Sequence, residues 1–302
     1  MAEPGGAHLH CRVCGAALPP PFLDLGAMPL ANAFLESPSA FAGERAYPLA
    51  VRGCAACGLV QLDHVVPAEI LYRDYIYVSA TSEAVRRHAE ELAERSVRAH
   101  GWGEGRLLVE IASNDGTVLK AFQKHGMRVL GVEPARNIAA VAEAEGVPTV
   151  AEFFTREAAR GIRASHGAAD GILARHVFAH VDDVHDFLDG AAHVLAPGGV
   201  LLIEVPYLGN LLDDLEFDTI YHEHLSYIAL APVERLCAAH GLRVVDVERV
   251  TLHGGSVILS IRHDAHPDRP SHRLATLREE ERRRGVTDPA VWAAFATAVT
   301  RW

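Results

Sequence analysis

Arg106-Leu107-Leu108-Val109-Glu110-Ile111-Ala112-Ser113-Asn114-Asp115-Gly116-Thr117 is the stretch that decides the fold. Arg106 to Ile111 reads as a parallel strand buried on both faces, because its apolar residues do not alternate with polar ones. A loop of small residues follows, and Val118, Leu119 and Phe122 open a helix. Val129-Leu130-Gly131-Val132-Glu133-Pro134 is a second strand with an acid at its end. Strand, glycine-containing loop, helix, strand and acid make a dinucleotide-type βαβ unit. Its loop amides and helix N-terminus favour an electron-rich group, and the acid can accept hydrogen bonds from ribose hydroxyls. Glu133 lies 23 positions after Glu110, close to the spacing such a unit needs. Ala112 and Asn114 stand where a phosphate-binding fingerprint has glycine, so the backbone is not free for close approach of a pyrophosphate.

A nucleoside without phosphates, such as S-adenosylmethionine (SAM), suits that loop. The α/β alternation continues on both sides. Thr81 to about Ala99 has helical spacing, Ala169 to Ala174 reads as a strand, and Val184 to Leu195 as a helix. Leu195-Ala196-Pro197-Gly198-Gly199 is a turn before the strand Val200 to Val205. Val233 to His240 is a helix stopped by Gly241. Leu242 to Val247 and Ser256 to Ile261 are expected as the last two strands, paired antiparallel. The apolar-x-Pro-Gly-Gly turn before a buried strand, with Glu110, Gly116 and Glu133, resembles the class I SAM-dependent methyltransferases, over roughly residues 81–262. The expected fold class is therefore α/β, a Rossmann-like sheet of that class.

The composition narrows the rest. The chain has 302 residues, with Lys+Arg 28 against Asp+Glu 39, a net charge of −11. That balance disfavours a nucleic-acid-binding surface, which needs clustered cations. Glu279 to Glu281 precede Arg282 to Arg284, so that run reads as a solvated helix face. No run of 18 apolar residues occurs and no secretory leader is visible, so neither a membrane span nor export is expected, and a soluble cytoplasmic protein is the default expectation.

Four of the five cysteines form two Cys-x-x-Cys pairs, Cys11/Cys14 and Cys54/Cys57, each followed by a glycine (Gly15 and Gly58). Thiolates in this arrangement converge on one zinc ion, and the glycines let the backbone turn around it. Four cysteine ligands leave no open position, so the zinc is expected to be structural. Such a site contributes on the order of 10–16 kcal/mol of apparent binding free energy to folding, which matters because residues 15–50 have little periodic hydrophobicity. Two buried thiol pairs or a redox motif is the alternative. Cys237 reads as a core residue.

The densest polar cluster is Asp218-Thr219-Ile220-Tyr221-His222-Glu223-His224-Leu225-Ser226-Tyr227, just after a strand end, where doubly wound sheets place their ligand crevice. A histidine there can serve as a general base near neutral pH, with the neighbouring Glu fixing its tautomer. A metal site and a structural lid are the competing readings of the cluster. Arg175-His176-Val177-Phe178-Ala179-His180 follows another strand and faces the same crevice. There His180 either orients substrate or caps a helix with Asp182 and Asp183. Asp74 to Ser79 is β-prone, and Tyr75 and Tyr77 share a face, at a strand edge or reaching an active site.

Taken together, Cys11/Cys14/Cys54/Cys57, Tyr75-x-Tyr77, Ser113 to Thr117, Gly131 to Pro134, His176 to His180, Tyr221 to Leu225 and His253 to Ser256 resemble the zinc-containing SAM-dependent deoxysugar C-methyltransferases. The resemblance implies C-methylation of a nucleotide-linked 4-keto deoxysugar beside the ketone, through an enolate, in deoxysugar and natural-product biosynthesis. It implies His224 as the base, with Tyr221, Glu223, Tyr75 and His180 lining the pocket. SAM would meet Glu110, Ala112, Asn114, Asp115, Gly116, Glu133, Pro134 and His176. Alternatives are O- or N-methylation on the same fold, C-methylation of a ketone without a nucleotide, and a non-catalytic binding protein. The expected organisation is a zinc-binding module over 1–80, a SAM-binding domain over 81–264 and a helical remnant of a C-terminal domain over 265–302. Family members usually run about a hundred residues further, so this chain is expected to be either a cut piece or a shortened relative. Val291, Trp292, Phe295, Ala296 and Val299 make an amphipathic face expected to need a partner, by self-association of the C-terminal helices.

Overall fold

The computed structural model describes residues 6–73, 78–251 and 254–301. The N-terminal part holds β1 (Gly6–Ala7), β2 (Leu23–Pro29), β3 (Ala46–Gly53), β4 (Val60–Leu62), β5 (His64–Val65) and α1 (Ala68–Tyr72). After α2 (Glu83–His100) come β6 (Leu107–Ile111), α3 (Thr117–Gln123), β7 (Arg128–Val132), α4 (Arg136–Ala144), β8 (Thr149–Val150), α5 (Arg156–His166) and β9 (Ala169–Arg175). The chain continues through α6 (Val184–Val194), β10 (Leu195–Pro206), α7 (Leu208–Asp214), β11 (Ser226–Tyr227), α8 (Leu230–Ala239), β12 (Leu242–Val250) and β13 (Ser256–His263) to α9 (His272–Arg284) and α10 (Pro289–Val299).

Seven strands form the main sheet in the order β12-β13-β10-β9-β6-β7-β8. The strands from β8 to β10 run parallel, and β13 pairs antiparallel with both β10 and β12, as the sequence predicts. This is the class I SAM methyltransferase fold. Successive strand residues point to opposite layers. Val109, Ile111, Ile172, Ala174 and Ile203 join one apolar layer, with α5, α6 and α8. Leu108, Leu173 and Leu202 join the other, with α2 and α3. Burial on both faces is why these strands lack a polar alternation. The chain moves outward through β6, β7 and β8, then returns to β9 on the other side of β6. The reversal places a crevice at the carboxyl ends of β6 and β9. The Pro-Gly-Gly segment is not a free turn: it lies within β10, where the register with β9 shifts between Leu195 and Val200.

A second sheet has the order β11-β4-β3-β2. Its fourth strand comes from Ser226–Tyr227, far beyond residue 80. Residues 15–50, in which the sequence shows little pattern, supply β2 and β3.

The amphipathic face of α10 needs no second molecule. Trp292, Phe295, Ala296 and Val299 are buried in one core with Leu23, Leu49, Val51, Val60 and Leu62 of the N-terminal sheet. Trp292 stacks on Phe22 at 5.9 Å, and its Nε1–H donates to the Val286 carbonyl at 2.9 Å. A side chain at Gly53 would occupy the space of the Trp292 ring. The expectation that this face requires self-association is therefore corrected: the chain covers it internally. Among the described residues no helix is long and apolar enough to cross a membrane.

Candidate active site and zinc centre

The crevice is built from strand ends. Beyond β6, Ala112, Asn114 and Gly116 have φ of 55°, 51° and 75°, all in the left-handed region. Asparagine tolerates that region through its short polar side chain, whereas alanine is strained there. The missing glycines thus do not mean an ordinary loop conformation. The loop is held from both sides. Asn114 Oδ1 accepts from the Ser79 N–H and Asp115 Oδ2 from the Ala80 N–H, both at 2.8 Å. Glu133, at the end of β7, accepts the Asn114 N–H on Oε2 at 2.9 Å and the Ala135 N–H on Oε1 at 2.8 Å. Burial raises its carboxyl above the usual range. Pro134 lies between Glu133 and the start of α4, half-buried.

Glu110 is fully enclosed. Burial pushes its pKa up to about 8, against the lowering effect of Arg175, and among the described residues its Oε2 has no hydrogen-bond partner. Among the same described residues the buried Ser113 Oγ likewise lacks one. Orphaned polar atoms beside a left-handed loop at a strand end fit a polar nucleoside ligand such as SAM.

Glu204, inside the apolar run of β10, organises the opposite wall. Arg175 Nε donates to its Oε2 at 2.8 Å, His88 Nε2 lies 2.9 Å from its Oε1, and His176 Nε2 lies 3.3 Å from the same oxygen. Burial alone would raise this carboxyl, but hydrogen bonds from His176 and His88 and the charge of Arg175 carry it well below the usual range. His176 itself has φ of 49°, a strained conformation held by these contacts. A carboxylate within an apolar strand has to find such partners, which is the signal in the sequence for this cluster. His88 carries no local signal.

Between this wall and the N-terminal sheet lies the histidine pair. His224 Nδ1 is 2.8 Å from the Thr219 carbonyl. A carbonyl only accepts, so Nδ1 carries the hydrogen and Nε2 keeps its lone pair. The Tyr221 hydroxyl, 3.0 Å away, donates to that Nε2. Burial lowers the His224 pKa to about 4 and raises Tyr221 well above its usual value. His180 meets His224 edge to face with ring centroids 5.0 Å apart, and its Nδ1 lies 2.9 Å from the Tyr72 hydroxyl. Burial, reinforced by His224 and His176, holds His180 well below its usual pKa.

The expectation that Glu223 fixes the tautomer of its neighbour is corrected. The Thr219 carbonyl does so, while Glu223 Oε1 accepts from the Asn32 amide at 2.6 Å. His222 is spent on the Tyr47 carbonyl, 3.2 Å from its Nε2, and ties this segment to β3. Asp183 caps α6 and Asp182 pairs with Arg12, so His180 is not a capping residue. Tyr75 lies outside the described residues. Tyr72 and Asn32, which approach the site from the N-terminal part, have no motif in the sequence to mark them.

The cysteines come together as expected. The four sulfurs of Cys11, Cys14, Cys54 and Cys57 lie within 4.8 Å of one another, the closest pairs at 3.4 and 3.5 Å. Tetrahedral zinc with bonds of about 2.3 Å sets sulfurs about 3.8 Å apart, so the set fits that ion. The two halves repeat one backbone pattern. Gly15 N–H donates to the Cys11 carbonyl and Gly58 N–H to the Cys54 carbonyl, and both glycines have positive φ. At Gly58 a Cβ would also meet Thr287 at 2.5 Å.

Sheet order, crevice and loop together define a SAM-dependent methyltransferase. Three family models match the chain: a zinc binding domain over residues 11–72, a methyltransferase domain over 82–247 and a C-methyltransferase C-terminal domain over 251–302. The chain is 39% identical over 293 residues to the C-methyltransferase NovU of Streptomyces niveus, covering 96% of this chain and 69% of that protein. The chain belongs to the C-methyltransferase family. Among solved structures it is similar to the PH0226 protein from Pyrococcus horikoshii OT3 (TM-score 0.47, 14% identity, 62% of this chain and 94% of that one). It is also similar to SAM-bound magnesium protoporphyrin IX methyltransferase from Synechocystis PCC 6803 (TM-score 0.45, 12% identity, 59% of this chain and 79% of that one).

Proposed function

We propose that the enzyme methylates a nucleotide-linked 4-keto deoxysugar at the carbon beside the ketone, with His224 as the base. The observation that carries this reading is the fixed tautomer of His224, with its lone pair on Nε2. A proton alpha to a ketone is acidic because its loss gives an enolate, and a neutral imidazole can remove it. SAM, when bound, supplies an electrophilic methyl group for the enolate carbon. The chain's own groups do the rest. His224 Nε2 takes the proton. Hydrogen-bond donors around it stabilise the charge that develops on the ketone oxygen. Tyr75 and Glu223 belong to the same pocket in this reading. Glu133 accepts from the ribose, and Glu110, Ala112, Asn114, Asp115, Gly116, Pro134 and His176 line the cofactor crevice. Cys11, Cys14, Cys54 and Cys57 would hold zinc in a closed tetrahedron, with no position for substrate.

The test is incubation with SAM and a nucleotide-linked 4-keto deoxysugar in deuterated buffer, followed by mass spectrometry of the sugar. One added methyl group is expected. With SAM left out, deuterium should enter alpha to the ketone, because only C-methylation requires that proton to leave. Methyl gain without such exchange would point to an oxygen or nitrogen acceptor.

A further inference from the structure

We propose that Tyr72 fixes His180 as a hydrogen-bond donor, so that His180 and His224 form a donor–acceptor pair across the reaction pocket. The inference rests on the enolate reading for its use, but not for its geometry. Tyr72, the last residue of α1, places its hydroxyl 2.9 Å from His180 Nδ1 and 3.4 Å from the Glu223 carbonyl. The hydroxyl has one hydrogen to give. A phenol is a better donor than a neutral imidazole N–H, and an imidazole nitrogen with a lone pair is a better acceptor than a phenol oxygen. The short contact is therefore O–H to Nδ1. The longer one is at the limit for an O–H···O bond, whose usual length is about 2.7–2.8 Å. With its Nδ1 accepting, neutral His180 carries hydrogen on Nε2. Among the described residues that Nε2 has no hydrogen-bond partner, so its N–H remains available.

His224 is the mirror case. Its Nδ1 donates to the Thr219 carbonyl, and its Nε2 keeps the lone pair. Burial holds both rings neutral. Two neutral histidines with edge-to-face rings 5.0 Å apart thus carry opposite polarity on the same ring position. Enolisation needs one group of each kind: an acceptor for the proton on carbon and a donor for the ketone oxygen. Tyr72 is then a positioning residue that acts through His180, and the N-terminal part supplies it.

The tautomers are read directly by long-range proton–nitrogen correlation NMR on protein labelled with 15N-histidine. His180→Gln and His224→Gln spectra assign the two rings among the 18 histidines. The expected spectrum has His180 protonated on Nε2 and His224 on Nδ1. Protonation of His180 on Nδ1 in the unsubstituted enzyme would overturn the proposal, whatever the substrate. In Tyr72→Phe the His180 signals should move toward a mixture of tautomers. kcat should fall about tenfold or more, with the KM for SAM unchanged. Should that variant keep the His180 tautomer and kcat, Tyr72 does not position the ring. If the sugar assay fails while the tautomers are as expected, the substrate reading falls and the pair stands.

Discussion

His224 combines a fixed tautomer with a depressed basicity, and both affect measurable behaviour. Its pKa of about 4 lies below the usual 6.5, so the ring is already neutral at pH 5 to 6. The acid limb of kcat/KM is therefore expected well below pH 6.5, and a pH–rate profile locates it. His224→Asn should lower kcat by at least about a thousandfold, with SAM affinity by calorimetry unchanged. Turnover surviving in that variant would remove His224 as the base. The cluster around it is legible in the sequence, because two histidines, an acid and two tyrosines crowd together after a strand end, but the choice of His224 over His222 rests on the resemblance alone. Its tautomer is not legible there, because it depends on the Thr219 main chain. Glu110 gives the opposite sign of pH dependence. Its folded pKa of about 8 lies above the usual 4.5, so below pH 4.5 it costs nothing. As pH rises toward 8 the folded state holds a proton that the unfolded state has released, and stability is lost. Glu110→Gln should therefore unfold at higher urea than the parent at pH 8, by about 2–4 kcal/mol, with the gap closing toward pH 5. An equal gap at both pH values would mean that Glu110 is not protonated in the folded enzyme.

At the scale of elements, the loop between β6 and α3 is where local chemistry and fold meet. Gly116 has φ of 75°, and a Cβ there would lie 2.8 Å from Val147 Cγ2. Gly116→Ala combines left-handed strain with a clash against a branched side chain in the core. The expected loss is about 2–4 kcal/mol, read by urea unfolding. Because the same loop anchors Glu133 through the Asn114 amide, SAM affinity should fall as well. A variant with parental stability would show that the loop can relax. The parallel strands were legible because each is an unbroken apolar run, buried on both faces. The N-terminal strands were not, because β2 and β3 gain their cover from far away in the sequence. The groups that share their core are Tyr227 and the face of α10. A pattern search within residues 15–50 contains neither. The same distance hides Tyr72 and Asn32, whose partners lie more than a hundred positions on.

For the whole molecule, this interleaving means that the four-cysteine cluster and the candidate active site are mechanically one object. The Cys54/Cys57 knuckle joins the end of β3 to the start of β4, with the Cys54 N–H donating to the Leu59 carbonyl. β4 pairs with β11, which follows His224 by two residues. Arg12, between two of the cysteines, donates from its guanidinium to the Leu62 carbonyl and to Asp182, just beyond His180. His185, in the first turn of α6, lies with its Nε2 3.1 Å from the Val13 carbonyl. Loss of zinc should thus disturb the histidine pair without removing the Rossmann-like sheet, whose apolar layers form largely from residues beyond 80. Cys54→Ser should lower kcat by about a hundredfold or more, while the Kd for SAM stays within about threefold of the parent's. Trp292→Ala, which opens the core shared by α10 and the N-terminal sheet, should act in the same direction and cost about 3–5 kcal/mol of stability. The division between the two constants is decisive. Parallel collapse of kcat and SAM affinity in Cys54→Ser would mean that zinc supports the entire fold. Unchanged turnover would mean that the N-terminal part neither positions His180 through Tyr72 nor Glu223 through Asn32.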